Sequence, residues 1–350
     1  MKRLSRRSFL ATGGSIMTAA ACSPLGRVLG AEPAGAEPKP PTARDTLGLR
    51  RQDKKIPVIF DSDIGDDIDD TWALALMLKS PEFDVRLVAS DYTNTVYRAK
   101  IFAKMLEVAG RTDIPIAIGP KKDEKPGRQS AWVGDYDLAK YPGKVHDDVI
   151  TAIIDTIRAA EEAITLVAVG PVPNIAEVVR RAPDVARKAR FVGMHGSVRR
   201  GYGGSAEISA EWNVKADPKA LQQVFAADWD ITVTPLDTCG LVHLTGEKFQ
   251  QVYRSEDPLV KALMANYQAW REAQEKKKLD PPDRSSTLFD TVAVYLGMSQ
   301  RLVDMETINL RVTDDGFTRI DPAGRPVHCA INWKSLPAFE DLLVRRLTAG

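Results

Sequence analysis

Only three cysteines occur in 350 residues, and Cys22, Cys239 and Cys329 show no metal-ligand spacing. At most one bridge could join them, so the chain is no disulfide-stapled scaffold. Net charge is nearly absent as well, at +1, but the average conceals a split. Residues 1–55 hold eleven Lys and Arg against four Asp and Glu, which leaves 37 basic and 43 acidic residues beyond them. A mildly acidic body excludes a general nucleic-acid binder, which needs a basic face for phosphates. No internal repeat is visible. The apolar stretch Phe9–Ala21 is too short, and too rich in Gly, Ser and Thr, to cross a bilayer that demands ~20 apolar residues. What is present is ordinary for a globular protein: 44% hydrophobic, 27% charged, 24 Gly and 22 Pro. That composition excludes a collagenous, coiled-coil or wholly disordered chain, and the length suffices for a sizeable α/β core.

The first residues read as an export signal, with basic residues, then the short apolar stretch, then small residues. Within them Ser5-Arg6-Arg7-Ser8-Phe9-Leu10 matches a twin-arginine pattern, which a receptor of the export machinery reads. The expected location is therefore exported, periplasmic or cell-envelope. Cys22 follows Ala19-Ala20-Ala21, where a bacterial lipoprotein carries its lipid anchor; simple cleavage after Ala21 or Ala31 is the alternative. Residues 32–55 are rich in Pro, Ala and charge and read as a linker. The expected division is a signal over 1–31, a linker over 32–55 and one folded domain over 56–350.

From Ile56 onward short β-branched runs alternate with longer amphipathic segments. Strands are expected at Ile56–Phe60, Val85–Ala89, Ile114–Ile118, Ala163–Val169, Arg190–Met194 and Ile231–Thr234. Helices are expected between them, with two more at roughly 257–278 and 288–298, beside or outside the sheet. This rhythm specifies an α/β domain, with a mostly parallel central sheet and helices on both faces. In such folds ligands lie at the carboxyl ends of the strands, which directs attention to the segments that follow them.

The segment after the first strand is Asp61-Ser62-Asp63-Ile64-Gly65-Asp66-Asp67-Ile68-Asp69-Asp70, six carboxylates in ten residues. Like charges at this density repel and raise each other's pKa values. A hard divalent cation removes that cost, and Ca²⁺ or Mg²⁺ takes oxygen ligands of this kind. Helix capping explains Asp67, Asp69 and Asp70 but not Asp61 and Asp63, which belong to the strand end. Aspartate-nucleophile phosphatases also place Asp-x-Asp after a first strand. Their pattern wants Thr or Val where this chain has Gly65, and it has no place for the acids that follow.

These residues resemble the inosine–uridine-preferring nucleoside hydrolase family, whose signature is Asp-x-Asp-Pro-Gly-x-Asp-Asp. The resemblance extends from about 56 to 345 and fits the branch with Asp-Ile-Gly-x-Asp-x-Asp-Asp. Tyr92-Thr93-Asn94, Gly170-Pro171-Val172-Pro173-Asn174, Ala210-Glu211-Trp212-Asn213 and Phe289-Asp290-Thr291-Val292-Ala293-Val294 resemble further family segments in the correct order. The resemblance implies a single nucleoside-hydrolase-like, Rossmann-like domain that cleaves the N-glycosidic bond of a small nucleoside or ribosyl substrate with Ca²⁺. It implies Asp63, Asp70, the Pro173 carbonyl and Asp290 as metal ligands, with Asp63 also the general base. Asn94, Glu211 and Asn213 would hold sugar hydroxyls. One of Asp67 and Asp69 would join them: direct counting from Asp63 favours Asp67, and adjacency at the helix start favours Asp69. A homo-oligomer is expected on the same ground.

One departure matters for mechanism. Phe289 stands where the family often has a histidine that protonates a purine leaving group. His146, His195 and Tyr202 are the candidates for a replacement. The rival reading is a non-catalytic or repurposed cell-envelope protein that binds a nucleoside or sugar, and the intact Asp63 counts against it. The export reading makes a direct prediction. Replacing both Arg6 and Arg7 with Lys should hold the precursor in the cytoplasm, as fractionation and immunoblotting would show; unchanged export would refute a twin-arginine signal.

Overall fold

A computed structural model describes residues 54–349. The expected signal, Cys22 and all of the linker except Lys54 and Lys55 lie outside the described residues. From Ile56 the strands are β1 (Ile56–Ser62), β2 (Phe83–Ser90), β3 (Ile116–Ile118), β4 (Val145–His146), β5 (Ile164–Ala168), β6 (Ala189–Met194) and β7 (Ile231–Thr234). Then come β8 (Val303–Val312), β9 (Thr318–Ile320) and β10 (Arg325–Trp333). All ten form one sheet in the order β4-β3-β2-β1-β5-β6-β7-β10-β8-β9. From β4 through β10 neighbouring strands pair in parallel; β8 and β9 extend the sheet by antiparallel pairing.

The parallel sheet follows from the sequence of β1. Ile-Pro-Val-Ile-Phe is apolar without a break, as a strand covered on both faces must be. Val58 and Phe60 enter one core cluster and Ile59 the other, because successive side chains point to opposite faces. On the first face the helices Asp69–Leu78, Thr95–Val108, Pro258–Glu275 and Phe289–Met298 contribute Trp72, Phe102, Leu263 and Tyr295. On the second, the helices Val149–Ala159, Pro173–Arg181 and Pro218–Ala226 contribute Ile153, Ile175 and Leu221. No described helix is long and apolar enough to cross a membrane. Cys239 and Cys329 are buried and free, and burial raises both thiols above their ordinary pKa.

The expected strands and helices up to residue 298 are found within about three residues of their expected ends. The sequence reading assigned no strand after Thr234, yet β8, β9 and β10 make up the last three positions of the sheet. In β8 (VDMETINLRV) buried and open positions are mixed, as suits a hairpin at the rim more than a two-sided central strand. The strand order also fixes the site. β1 leads outward through β2, β3 and β4 on one side, whereas β5, β6 and β7 run outward on the other. The order in which strands are added therefore switches sides between β1 and β5, which stay parallel, and the loops leaving their carboxyl ends part to open a crevice.

Candidate active site at the end of the first strand

The crevice is a cavity of about 470 Å³. It is lined by Asp63, Asp66, Asp67, Asp69, Asp70 and Asp290, by Glu211 and Asn213, and by Val169, Met194, Tyr202, Trp212 and Phe289. Carboxylate oxygens of Asp69, Asp70 and Asp290 lie within 4.8 Å of one another, and all three residues are buried. Ser62 donates its hydroxyl to Asp70 Oδ1 at 2.6 Å. Burial, then the neighbouring carboxylates, push Asp69, Asp70 and Asp290 well above the ordinary carboxylate range. Burial lifts Asp63 to about 6 against the opposing pull of Arg98.

Asp69, Asp70 and Asp290 stand in the first turns of their helices, where acids suit the dipole, but the two helices bring them together in one buried cluster, which capping alone does not require. Three buried carboxylates of oxygen donors alone form a set that a hard divalent cation fits. Behind them stands a second layer. Asp61 Oδ2 accepts from Asn174 Nδ2 at 2.9 Å, and Asp91 Oδ2 accepts from the Val172 amide at 2.9 Å. Asp61 Oδ1 and Asp91 Oδ1 are buried without a hydrogen-bond partner among the described residues. Gly170 packs closely against Asp63: a Cβ there would sit 3.0 Å from the Asp63 amide nitrogen and 3.2 Å from Oδ1, so any side chain would press on Asp63.

The loop between β1 and its helix is held by side chains from distant segments. Arg98 Nη1 donates to the Ile64 carbonyl at 3.0 Å, and the Tyr97 hydroxyl to that of Gly65 at 3.1 Å. The Trp270 indole donates to Asp66 O at 3.0 Å and Gln129 Nε2 to Asp67 O at 2.8 Å. Four consecutive carbonyls are thereby satisfied from outside. Arg98, 2% exposed, also bonds the Tyr92 carbonyl, Thr93 Oγ1 and Asp66 Oδ2, at 2.8 to 2.9 Å. Tyr92 and Thr93 are left-handed, with φ of 58° and 56°, a conformation that costs a non-glycine residue energy. Arg98 is thus both the clamp on that strained turn and the single buried Lys or Arg among the described residues. Arg98, Tyr97, Gln129 and Trp270 belong to no motif in the sequence, and none stands out there as a site residue.

Other expected site residues sit as follows. Asp69 joins the tight triad, while Asp67 lies at the exposed mouth and accepts from the Ile68 amide at 2.7 Å. The helix begins at Asp69, as the adjacent-acid placement has it. Glu211 is buried and caps the helix Trp212–Ala216, accepting from the amides of Asn213, Gly196 and Val214 at 2.7, 3.0 and 3.3 Å. Burial nevertheless lifts it to about 7. Asn213 Nδ2 donates to the carbonyls of Val169 (3.0 Å) and Met194 (3.1 Å), which leaves Oδ1 as the acceptor it can offer. Pro173 opens its helix and is not among the lining residues; Val169 represents that strand end. Asn94 is not among them either. Its amide caps the helix Thr95–Val108 through Tyr97 N (3.2 Å) and donates to Lys125 O (3.0 Å).

Of the candidate acids, His146 lies on edge strand β4, three strands from β1. His195 is buried outside the lining, bonds Gly170 O at 2.9 Å, and is pushed down to about 4, which keeps it neutral. Tyr202 lines the cavity. Trp132, Tyr136 and Tyr141 pack on the core and anchor their loop.

The chain belongs to the family described as inosine-uridine preferring nucleoside hydrolase, whose model matches residues 58–334. It is 32% identical over 193 residues to a non-specific ribonucleoside hydrolase RihC of Klebsiella pneumoniae, covering 52% of this chain and 62% of that one. A pyrimidine-specific ribonucleoside hydrolase RihA of an Enterobacter species is 29% identical over 237 residues, 63% of this chain and 73% of its own. The chain thus spans somewhat under two thirds of the first curated relatives it matches. In fold it is similar to the plant nucleoside hydrolase PpNRh1, with TM-score 0.70 and 24% identity over 85% of this chain and 100% of that one. It is also similar to a purine-preferring ribonucleoside hydrolase from Gardnerella vaginalis, with TM-score 0.68 and 21% identity over 83% and 98%.

Two predictions arise from the charge balance. Arg98→Met leaves the buried Ile64 and Tyr92 carbonyls without donors, at ~1–3 kcal/mol each. The urea midpoint of the metal-free protein should fall accordingly, and Arg98→Lys should recover little because an ammonium cannot serve four partners in a fork. An unchanged midpoint in Arg98→Met would contradict the clamp. The second concerns pH. Asp63 (about 6), Asp91 and Glu211 (both about 7) bind protons in the fold that the unfolded chain, with values of 3.8 and 4.5, has already released. Stability of the metal-free protein should therefore fall as pH rises from 5 to 8. A divalent cation needs the deprotonated acids, so its binding should release protons and its stabilising effect should grow over the same range. Calorimetric titration in buffers of different ionisation enthalpy reads the protons; none released at pH 6 would sink the prediction.

Proposed function

We propose that this protein hydrolyses the N-glycosidic bond of ribonucleosides, or of a closely related N-ribosyl compound, with Ca²⁺ as its metal. The observation that carries the reading is the cavity: in a member of this family, Asp63 and the Asp69, Asp70, Asp290 triad meet under an aromatic rim at the switch point of a parallel sheet. The relatives named ribonucleoside hydrolases support the same class of reaction. Such hydrolysis needs an activated water, compensation for positive charge developing on the sugar, and a grip on the sugar hydroxyls.

When bound, Ca²⁺ would polarise a water and neutralise the acid cluster. Asp63, Asp70 and Asp290 would hold it through carboxylate oxygens, with the Pro173 carbonyl as a further ligand and Asp69 within reach of the same ion. Asp63 would accept the proton of the attacking water. Bound to the cation, Asp63 would be held ionised and so ready to accept that proton. The remaining carboxylates would stabilise the oxocarbenium-like sugar electrostatically. Ribose hydroxyls donate well to Asp67 at the mouth, to Asn213 Oδ1 and to the remaining acceptor of Glu211. Asn94 would reach a sugar only by giving up its cap. The export reading adds a place, the periplasm or cell envelope, and Cys22 a lipid tether; a homo-oligomer is part of the same proposal.

The test separates an enzyme from a binding protein. Ribose release from a panel of purine and pyrimidine nucleosides should be detectable, and a chelator should abolish it. Asp63→Asn keeps a ligating oxygen but loses the base, so kcat should fall by ~10²–10⁴ while nucleoside binding persists. Asn213→Ala should weaken binding along with rate. A wild-type protein that binds a nucleoside tightly yet releases no base would sink the hydrolase reading and establish the binder.

A further inference from the structure

When a C1′–N bond breaks, its electron pair stays on the base, and a hydrogen-bond donor aimed at the base lowers the barrier. Donors are scarce in this cavity. Its carboxylates accept protons or bind cations, and Phe289, Val169 and Met194 have no proton to give. Asn213 has committed both amide N–H groups to the Val169 and Met194 carbonyls. With the acids ionised, two side-chain donors remain in the lining, the Tyr202 hydroxyl and the Trp212 indole.

The two are held differently. Both are exposed, Trp212 at 56% and Tyr202 at 43%, but the Trp212 ring has no stacking partner among the described residues. Tyr202 is fixed at both ends. Its ring sets its edge against Phe289, with centroids 6.0 Å apart and planes at 86°, and its oxygen accepts the Trp212 amide at 2.9 Å. The hydroxyl proton donates to no group among the described residues. Gly203 and Gly204, with φ of 64° and 78°, turn the chain directly after the ring, so the phenol projects from a tight bend. One lone pair is thus taken, the ring plane is set beside Phe289, and a single O–H is left over.

We propose that Tyr202 donates a hydrogen bond to the departing base and so fills the role that Phe289 leaves open. The proposal rests on the hydrolase reading above. The water oxygen bonds to C1′ and its proton passes to Asp63. The C1′–N bond breaks, and its electron pair goes to the base nitrogen. Tyr202 bonds an acceptor atom of the base and keeps its own proton, since burial holds the phenol well above its ordinary pKa. The base takes a proton from solvent water after it leaves, and Asp63 returns one to solvent. The sum is nucleoside plus water giving ribose plus free base. Tyr202 therefore matters in proportion to how poor the leaving group is.

The experiment uses the Ca²⁺-loaded protein with inosine, uridine and p-nitrophenyl β-D-ribofuranoside, whose phenolate departs without help. Tyr202→Phe removes only the O–H. Its kcat on the nucleosides should fall about 10- to 100-fold, the range of a hydrogen bond to a charged group, with KM little changed. Its rate on the p-nitrophenyl compound should stay within about threefold of wild type. Trp212→Phe keeps the backbone amide that holds Tyr202 and should retain the wild-type ratio between the two substrate types. Equal losses on both types in Tyr202→Phe, or no loss on either, overturn the proposal and leave the hydrolase reading standing. A shift in the ratio for Trp212→Phe alone assigns the role to the indole and also overturns it. A wild type inactive on all three substrates removes both the reading and the proposal.

Discussion

Everything at the site depends on keeping several carboxylates together in a low-dielectric place where they repel. Asp61, Asp63, Asp69, Asp70, Asp91, Glu211 and Asp290 are all buried, and Arg98 is the buried Lys or Arg among the described residues that faces them. Left to itself, a loop carrying such charge would turn its acids to water. It cannot, because the carbonyls of Ile64, Gly65, Asp66 and Asp67 are tied by Arg98, Tyr97, Trp270 and Gln129. With those four fixed, the backbone has little freedom and the side chains stay directed into the cavity. Breaking any tie exposes an unsatisfied carbonyl, so the loop resists relaxation at each residue. The repulsion that remains is what favours a cation or bound protons.

The sheet supplies the other half of the constraint. β1 pairs with β2 and β5, so its exit is flanked by Asp91 on one side and Val169 on the other. The amide of Asp91 donates to Ser62 O and that of Val169 to Asp61 O, both at 2.9 Å, which extends the ladder past the formal strand ends. Asp91 then reaches across to the Val172 amide, where the chain is left-handed before a helix. Three strand exits are thus locked to one another before any ligand arrives. Preorganisation of this kind keeps the cost of ordering out of each binding event.

How much of this could be read beforehand varied with range in the chain. Asp61 to Asp70 are contiguous, so their density signalled a cation site, and the alternation of apolar runs signalled the parallel sheet. Arg98, Gln129 and Trp270 lie some 30 to 200 residues from the carbonyls they hold, and a buried arginine in an amphipathic helix looks like any surface arginine until the fold is known. Asn94 shows the converse: its segment resembled a ribose contact, while its amide in this fold caps a helix. The hairpin strands β8 to β10 escaped because their mixed pattern of open and buried positions lacks the unbroken apolar signal of β1.

Phe289 shapes the cavity beyond having no proton of its own to donate. Phe289 begins the helix that carries Asp290, so an apolar ring stands directly beside a metal-class carboxylate and meets the edge of Tyr202. An imidazole there would hydrate and could carry positive charge next to Asp290, competing with any cation for the same field. A phenyl ring does neither. Asp290 itself is buried, and burial strengthens its Coulomb interactions, the attraction for a divalent ion included. The same burial, followed by the neighbouring acids, pushes Asp290 well above the ordinary carboxylate range. Position 289 therefore sets an apolar ring, and no titratable group, beside Asp290. The polar groups that face the cavity are the carboxylates and a few oriented O–H and N–H dipoles.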